Sequence, residues 1–205
     1  MPDALATSVT NTDPNSCVFA QTGRLCKPWT LSPQGITFMA ILESGVLNGT
    51  YHQVIHGHKT NLPVSEGFIL QVYDDGTGIP TVGLGHQVLP QDHLHIGDVI
   101  SLNRAKELFR VNRDATEKAI NHDVHVALYQ YEYDALVSVL FNSGIYHKPH
   151  DPWPSTRSQY LANFLNHGEY DRMRDVIRSF VAHIVAGRRR REARLFETGV
   201  YDATH

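Results

Sequence analysis

Residues 73–86 read YDDGTGIPTVGLGH. The flanking runs GFILQVY (67–73) and TVGLG (81–85) are rich in β-branched and aromatic residues, so they read as two short strands joined by the turn DDGTGIP. Gly76, Gly78, Gly83 and Gly85 are more glycines than a strand pair needs. Lacking Cβ atoms, they let a second molecule approach the backbone closely. Asp75 and Thr81 stand on either side of the turn, where a carboxylate and a hydroxyl can face one space.

Outward from this hairpin the chain changes character twice. Upstream, LSPQGITFMAILESG (31–45) predicts a helix. Ser32 is a good N-cap, Pro33 suits the first helical position and Gly45 ends the run. Ile36, Met39, Ala40 and Glu43 fall on one face, which puts a carboxylate at the end of an apolar stripe. Residues 46 to about 90 predict a small irregular β-lobe. Downstream the chain is helical, with helices expected in 101–120, in the more apolar 129–142, and in 158–168 and 169–185. Gly187 is expected to lead into a short basic helix. Residues 1–31 have no periodicity and read as an arm, with 32–205 as the folded domain.

Composition excludes several classes. The net charge of −3 gives no field for a polyanion, so no nucleic-acid partner is expected. No apolar run approaches the roughly 20 residues of a membrane helix, so no membrane insertion is expected. The first 16 residues lack a basic region followed by an apolar one, so no standard signal peptide is read. Cys17 and Cys26, in the arm, fit a small disulfide loop in an oxidising compartment; the other reading is two free thiols.

A pair of carboxylates in unlike surroundings performs glycosidic cleavage. One, protonated, donates to the leaving oxygen; the other, ionised, activates water or stabilises charge. The hairpin with a carboxylate upstream fits this need. It also resembles a known family. Tyr73, Asp75, Gly78, Thr81, Gly83, Gly85 and His86 match, without substitution, the Y-x-D-x-x-G-x-x-T-x-G-x-G-H motif of the phage-type lysozymes (glycoside hydrolase family 24). RAKELFRVNRD (104–114), QYEYDALVSVLFNSG (130–144) and GRRRREARLFETGVY (187–201) resemble that family's later segments.

The resemblance implies an α+β lysozyme-like fold with a small β-lobe, a larger helical lobe and a cleft between them. It implies a muramidase that cuts the β-1,4 bond between N-acetylmuramic acid and N-acetylglucosamine in peptidoglycan. Asp75 would be the second carboxylate and Thr81 would help position water. Inversion of configuration would follow, with carboxyl groups about 6.5–9.5 Å apart. No cofactor or metal is implied. His86 and Asn142 are candidate substrate-binding residues. A non-catalytic peptidoglycan-binding module and a transglycosylase on the same fold are the alternatives.

Two glutamates compete for the role of acid. Glu66 precedes Asp75 by nine residues, the spacing of the shortest phage lysozymes. Glu43 ends a well-capped helix, where the family places its acid. Choosing Glu43 requires an inserted loop of about 23 residues, which costs little extra entropy. Glu43 is preferred because a helix end against apolar surface supplies desolvation.

The remaining features have plainer readings. Asp74 reads as a surface neighbour of Asp75. His56, His58, His93 and His95 sit two apart in pairs, but no third ligand stands at a metal-motif spacing. Arg188–Arg191 reads as a solvated basic face, with Glu192 available as an internal partner and cell-wall polymers as an external one. Trp29 and Trp153 are core or sugar-stacking residues. The expected setting is a monomer made in the cytoplasm that acts in the periplasm or on the wall after release or delivery. It would be either a phage endolysin or a delivered bacterial effector paired with an immunity protein.

Overall fold

The computed structural model describes residues 27–55 and 57–203. The Cys17–Cys26 pairing and His56 lie outside them. The chain divides into two compact units. Among the described residues, one holds 27–35 with Ala115–Asp202; the other holds Ile36–Asp114 and Ala203. No described helix is long and apolar enough to cross a membrane.

The Ile36–Asp114 unit carries most of helix α1 (Pro33–Ser44), a five-stranded sheet and the first part of helix α2 (Leu102–Asp123). The predicted cap of α1 is in place, with Ser32 Oγ accepting from Gly35 N at 2.9 Å. Gly45, at φ 74°, ends the helix and donates to Ile41 O at 2.9 Å. Phe38, Met39 and Ala40 are buried. Ser101 caps α2, accepting from Arg104 N at 3.2 Å.

The sheet is a meander in the order β1 (Gly49–Ile55), β2 (His58–Ser65), β3 (Phe68–Asp74), β4 (Pro80–Gly83) and β5 (His86–Gln87). The expected strands at 67–73 and 81–85 are β3 and β4. The segment expected as an inserted loop is a hairpin instead: β1 pairs with β2 from Gly49↔Val64 to Ile55↔His58. Pro63 is tolerated because β2 pairs with β3 only at Val64↔Ile69 and Ser65↔Phe68, leaving most of β2 without a second neighbour. Leu62, Val64 and Ile69 form a small core with Val46, Tyr51 and Tyr73 packed against it.

The helical unit centres on α3 (Gln130–Ser143), buried without interruption from Glu132 to Leu140. Helices α4 (Arg157–Asn166), α5 (Tyr170–Ser179) and α6 (Ala182–Thr198) follow. Thr156 caps α4 by accepting from Gln159 N at 3.1 Å. The stretch expected as one helix over 169–185 breaks at Phe180 and Val181, where Val181 turns to φ 48°. Gly187 lies inside α6, two residues after a kink at Val185 (φ −119°, ψ 30°), so the boundary expected there is present as that kink.

Two further expectations change. Residues 27–31, read as the end of the arm, pack into the helical unit. Trp29 and Leu31 are buried, and their N–H groups donate to Asn121 Oδ1 at 2.8 Å and Glu117 Oε1 at 2.6 Å. The arginine run is not a wholly solvated face: Arg188 and Arg189 are buried around Glu192, itself fully buried. Arg188 Nε lies 2.9 Å from Glu192 Oε1, and Arg189 pairs with Glu192 Oε2. Arg189 also donates to Phe180 O at 2.8 Å. Burial pushes the Arg189 guanidinium below its usual range, opposed by the Glu192 charge.

Candidate active site

The Ile36–Asp114 unit brings Glu43, Tyr73, Asp75 and Thr81 into one neighbourhood. Tyr73 is the hub. It stands directly opposite Thr81 in the β3–β4 register, so their side chains share a face. Burial raises its hydroxyl pKa well above the ordinary range, and the nearby charges of Glu43, Tyr51 and Asp75 add to the shift. Glu43 reaches this spot from the last turn of α1, half-buried.

Asp75 follows the end of β3, and its carboxylate is organised by the turn. Its Oδ1 accepts from Thr77 Oγ1 at 2.7 Å, Thr77 N at 2.8 Å and Ile79 N at 3.4 Å. Oδ2 has no hydrogen bond among the described residues. The Thr77 hydroxyl is the largest cause holding the Asp75 carboxyl below its usual range, and the backbone N–H groups reinforce it. Asp74 is also part of this turn, since its Oδ1 accepts from Gly76 N at 2.8 Å and Gly78 N at 2.9 Å. Thr81 is buried and donates its hydroxyl proton to Ile79 O at 3.2 Å, which leaves Oγ1 as an acceptor. The geometry therefore offers an ionised carboxylate and an oriented hydroxyl oxygen on one hairpin.

Glu66 occupies a different setting. It is exposed and forms the β2–β3 turn with the buried Gly67, at φ 49° and 83°. Its carboxylate pairs with Lys106 Nζ at 2.7 Å. Gly67 is pressed against α1, and a Cβ there would stand 2.2 Å from Ala40 Cβ.

His86 is buried with both ring nitrogens engaged. Asn112 Nδ2, which can only donate, lies 2.9 Å from Nδ1, so the proton sits on Nε2, 2.8 Å from Asp92 Oδ2. Burial disfavours the charge on Asp92, but the Leu89 N–H, His86 and Arg104 outweigh it and hold its carboxyl below the usual range. This arrangement ties β5 to α2 and leaves no ring nitrogen for a substrate. Asn142 lies in the other unit, exposed, its Oδ1 accepting from Arg189 Nη2 at 2.9 Å. Trp29 is core, packed on Tyr133 at 5.7 Å. Trp153 stacks on Tyr160 at 3.8 Å. Among the described residues, no group of three or more His, Cys, Asp or Glu could hold a metal.

Tyr73 is marked in the sequence only by the motif, and Thr77, Asp92 and Asn112 are not among the motif's specified residues. For Thr77 a signal existed: an Asp followed two residues later by a threonine N–H and hydroxyl is a common turn pairing.

The phage lysozyme family matches residues 64–194. That range includes Glu66, Asp75, Thr81, His86 and Asn142 and leaves Glu43 before it. The endolysin of Salmonella phage P22 is 38% identical over 93 residues, covering 45% of this chain and 64% of that relative, which is less than two thirds of its length. Among solved structures, an endolysin from Escherichia coli O157:H7 phage FAHEc1 superposes with a TM-score of 0.64 at 22% identity, covering 87% of this chain and 99% of its own. A P22 lysozyme mutant superposes with a TM-score of 0.56 at 26% identity, covering 83% of this chain and 99% of its own. With its motif intact and more than half of its length matched, the chain belongs to the phage lysozyme family.

Proposed function

We propose that this protein is a muramidase that hydrolyses the β-1,4 bond between N-acetylmuramic acid and N-acetylglucosamine in peptidoglycan. The observation that carries this reading is the Tyr73 hydroxyl, which feels the charges of both Glu43 and Asp75 while Thr81 stands opposite it. Glu43 is the general acid and protonates the glycosidic oxygen. Asp75, held ionised by Thr77, accepts a proton from water on the other face of the sugar. Thr81 Oγ1 accepts the water's second hydrogen and orients it. With water as nucleophile, configuration inverts.

Glu66 as the acid is the second reading, favoured by its nine-residue spacing from Asp75 and its place inside the matched range. Its exposure and its bond to Lys106 argue for Glu43. A transglycosylase needs no water-activating base, so the Asp75–Thr81 pair supports hydrolysis. Phage endolysins among the relatives favour wall lysis as an endolysin over delivery as an effector with an immunity protein. The peptidoglycan-bearing wall is the site of action, and the protein acts as a monomer.

Purified cell walls incubated with the protein test the reading. Clearing, with reducing-end muropeptides in the mass spectrum of the soluble fraction, is expected. Anhydro-muramic ends would make it a transglycosylase, and binding without clearing would make it a recognition module.

A further inference from the structure

The hairpin β1–β2 builds a feature of its own. After two residue pairs β2 leaves β3, and Leu70 and Val72 of β3 bond instead to the segment 97–100, with Val72 N donating to Asp98 O at 2.8 Å and Ile100 N to Leu70 O at 2.8 Å. A groove of about 300 Å³ opens where the strands part. Ile55, His58, Thr60 and Leu62 line one side, all before the start of the family match at residue 64.

The chemistry of the lining is specific. Gln53 Nε2 donates to Asp74 O at 2.9 Å and Gln71 Nε2 to Gly97 O at 3.1 Å, which fixes both amides and leaves each Oε1 as an acceptor. His58 and Thr60 have no side-chain hydrogen bond among the described residues. Ile55, Leu62 and Ile96 supply aliphatic surface, and Ile96 is 56% exposed. Tyr73 is the one Phe, Tyr or Trp among the described lining residues and also the hub of the Glu43–Asp75 pair, so the groove runs into the candidate site.

The geometry points to this groove as a binding site for the peptide stem of peptidoglycan, the short peptide amide-linked to muramic acid. This rests on the muramidase reading. A sugar ring calls for an aromatic platform, and one tyrosine at the end of the groove is a poor one. A stem peptide offers N–H donors to the two glutamine oxygens, carbonyls to His58 and Thr60, and alanine methyls to the aliphatic wall. The volume, at the lower limit of about 300–1,000 Å³ for ligand pockets, suits two or three small residues rather than a disaccharide.

Kinetics on two substrates test it: peptide-bearing cell walls, and the same glycan stripped of its stems by an amidase. Thr60→Arg fills the groove from an exposed position. It is expected to raise KM about 5–10-fold on peptide-bearing walls with kcat unchanged, and to leave stripped glycan unaffected. Equal effects on both substrates, or none on either, would overturn the proposal. If the wild-type protein cleaves neither, the muramidase reading fails, and titration of the wild type with free stem pentapeptide followed by NMR still decides the groove. Saturable shifts at His58, Thr60 and Gln71 are expected, with a dissociation constant on the order of 1 mM. Their absence at about 10 mM peptide would overturn it.

Discussion

Lys106 Nζ lies 2.7 Å from Glu66 Oε2, with both side chains about half exposed. A carboxylate engaged by a lysine at an exposed position is poorly placed to meet a glycosidic oxygen. Glu66→Gln is therefore expected to keep turnover within about twofold of wild type. Glu43→Gln is expected to lower it by at least ~10²–10³-fold. Cell-wall turbidity assays on the two variants decide between them, and the reverse ranking would move the acid to Glu66.

The second relationship concerns pH. Thr77 is the main cause of the depressed Asp75 pKa. A base with a depressed pKa is active at all pH values above it and fails only as pH falls through it. The acid limb of kcat/KM is thus expected below the ordinary carboxylate range. In Thr77→Val that limb shifts upward, so the variant loses activity at mildly acidic pH while matching wild type near neutrality. An unmoved limb would mean that Asp75 does not control it.

Gly67→Ala probes how the sheet is seated on α1. The added methyl meets Ala40 Cβ, and the backbone is already at φ 83°. Overpacking and left-handed strain together are expected to cost roughly 2–4 kcal/mol in urea unfolding. Ala40→Gly in the same chain removes the clash but not the strain, so recovery should be partial. A double-mutant cycle reads the coupling directly. Additivity of the two changes would rule out the contact.

Glu192→Ala leaves Arg188 and Arg189 without their shared counter-ion. The Glu192 carboxylate accepts from Arg188 Nε, from Arg189 and from Ser138 Oγ at 2.6 Å, all at buried positions. Leaving an unpaired guanidinium in that setting is expected to cost about 3–5 kcal/mol. Urea denaturation measures it, and a cost under about 1 kcal/mol would mean that the cluster relaxes into solvent.

Much of this was legible in the sequence. The caps at Ser32 and Ser101, the strands around DDGTGIP and the buried helix around Tyr133 each carry a local signal. The hairpin β1–β2 is faint in the sequence for a physical reason. No residue of β1 is fully buried, and β2 buries only Leu62 and Val64, so the alternation has almost no apolar half. Arg188 and Arg189 looked solvated because burial of a charge is decided by its partner, and Glu192 was the single clue. The break at Val181 has no glycine or proline to announce it; Gly187 marks instead the kink at Val185, two residues before it. In the candidate site, Asp75 and Thr81 were readable from spacing. The clustering of Glu43 with Tyr73 depends on folding back across the hairpin between them.

Because each strand of the meander pairs with its neighbour in sequence, the sheet closes only short loops as it forms. Local pairings of this kind assemble quickly. The turn that orients Asp75 can therefore form before the chain beyond it is complete, with residues 76–79 supplying the donors to the Asp74 and Asp75 carboxylates and Gln53 of β1 bonding the Asp74 carbonyl. An extra hairpin at the edge of such a sheet lengthens the chain between Glu43 and Tyr73 without altering any pairing downstream. Separation along the chain between Glu43 and Asp75 can thus change without disturbing the sheet, while α1 stays packed on the turn at Gly67.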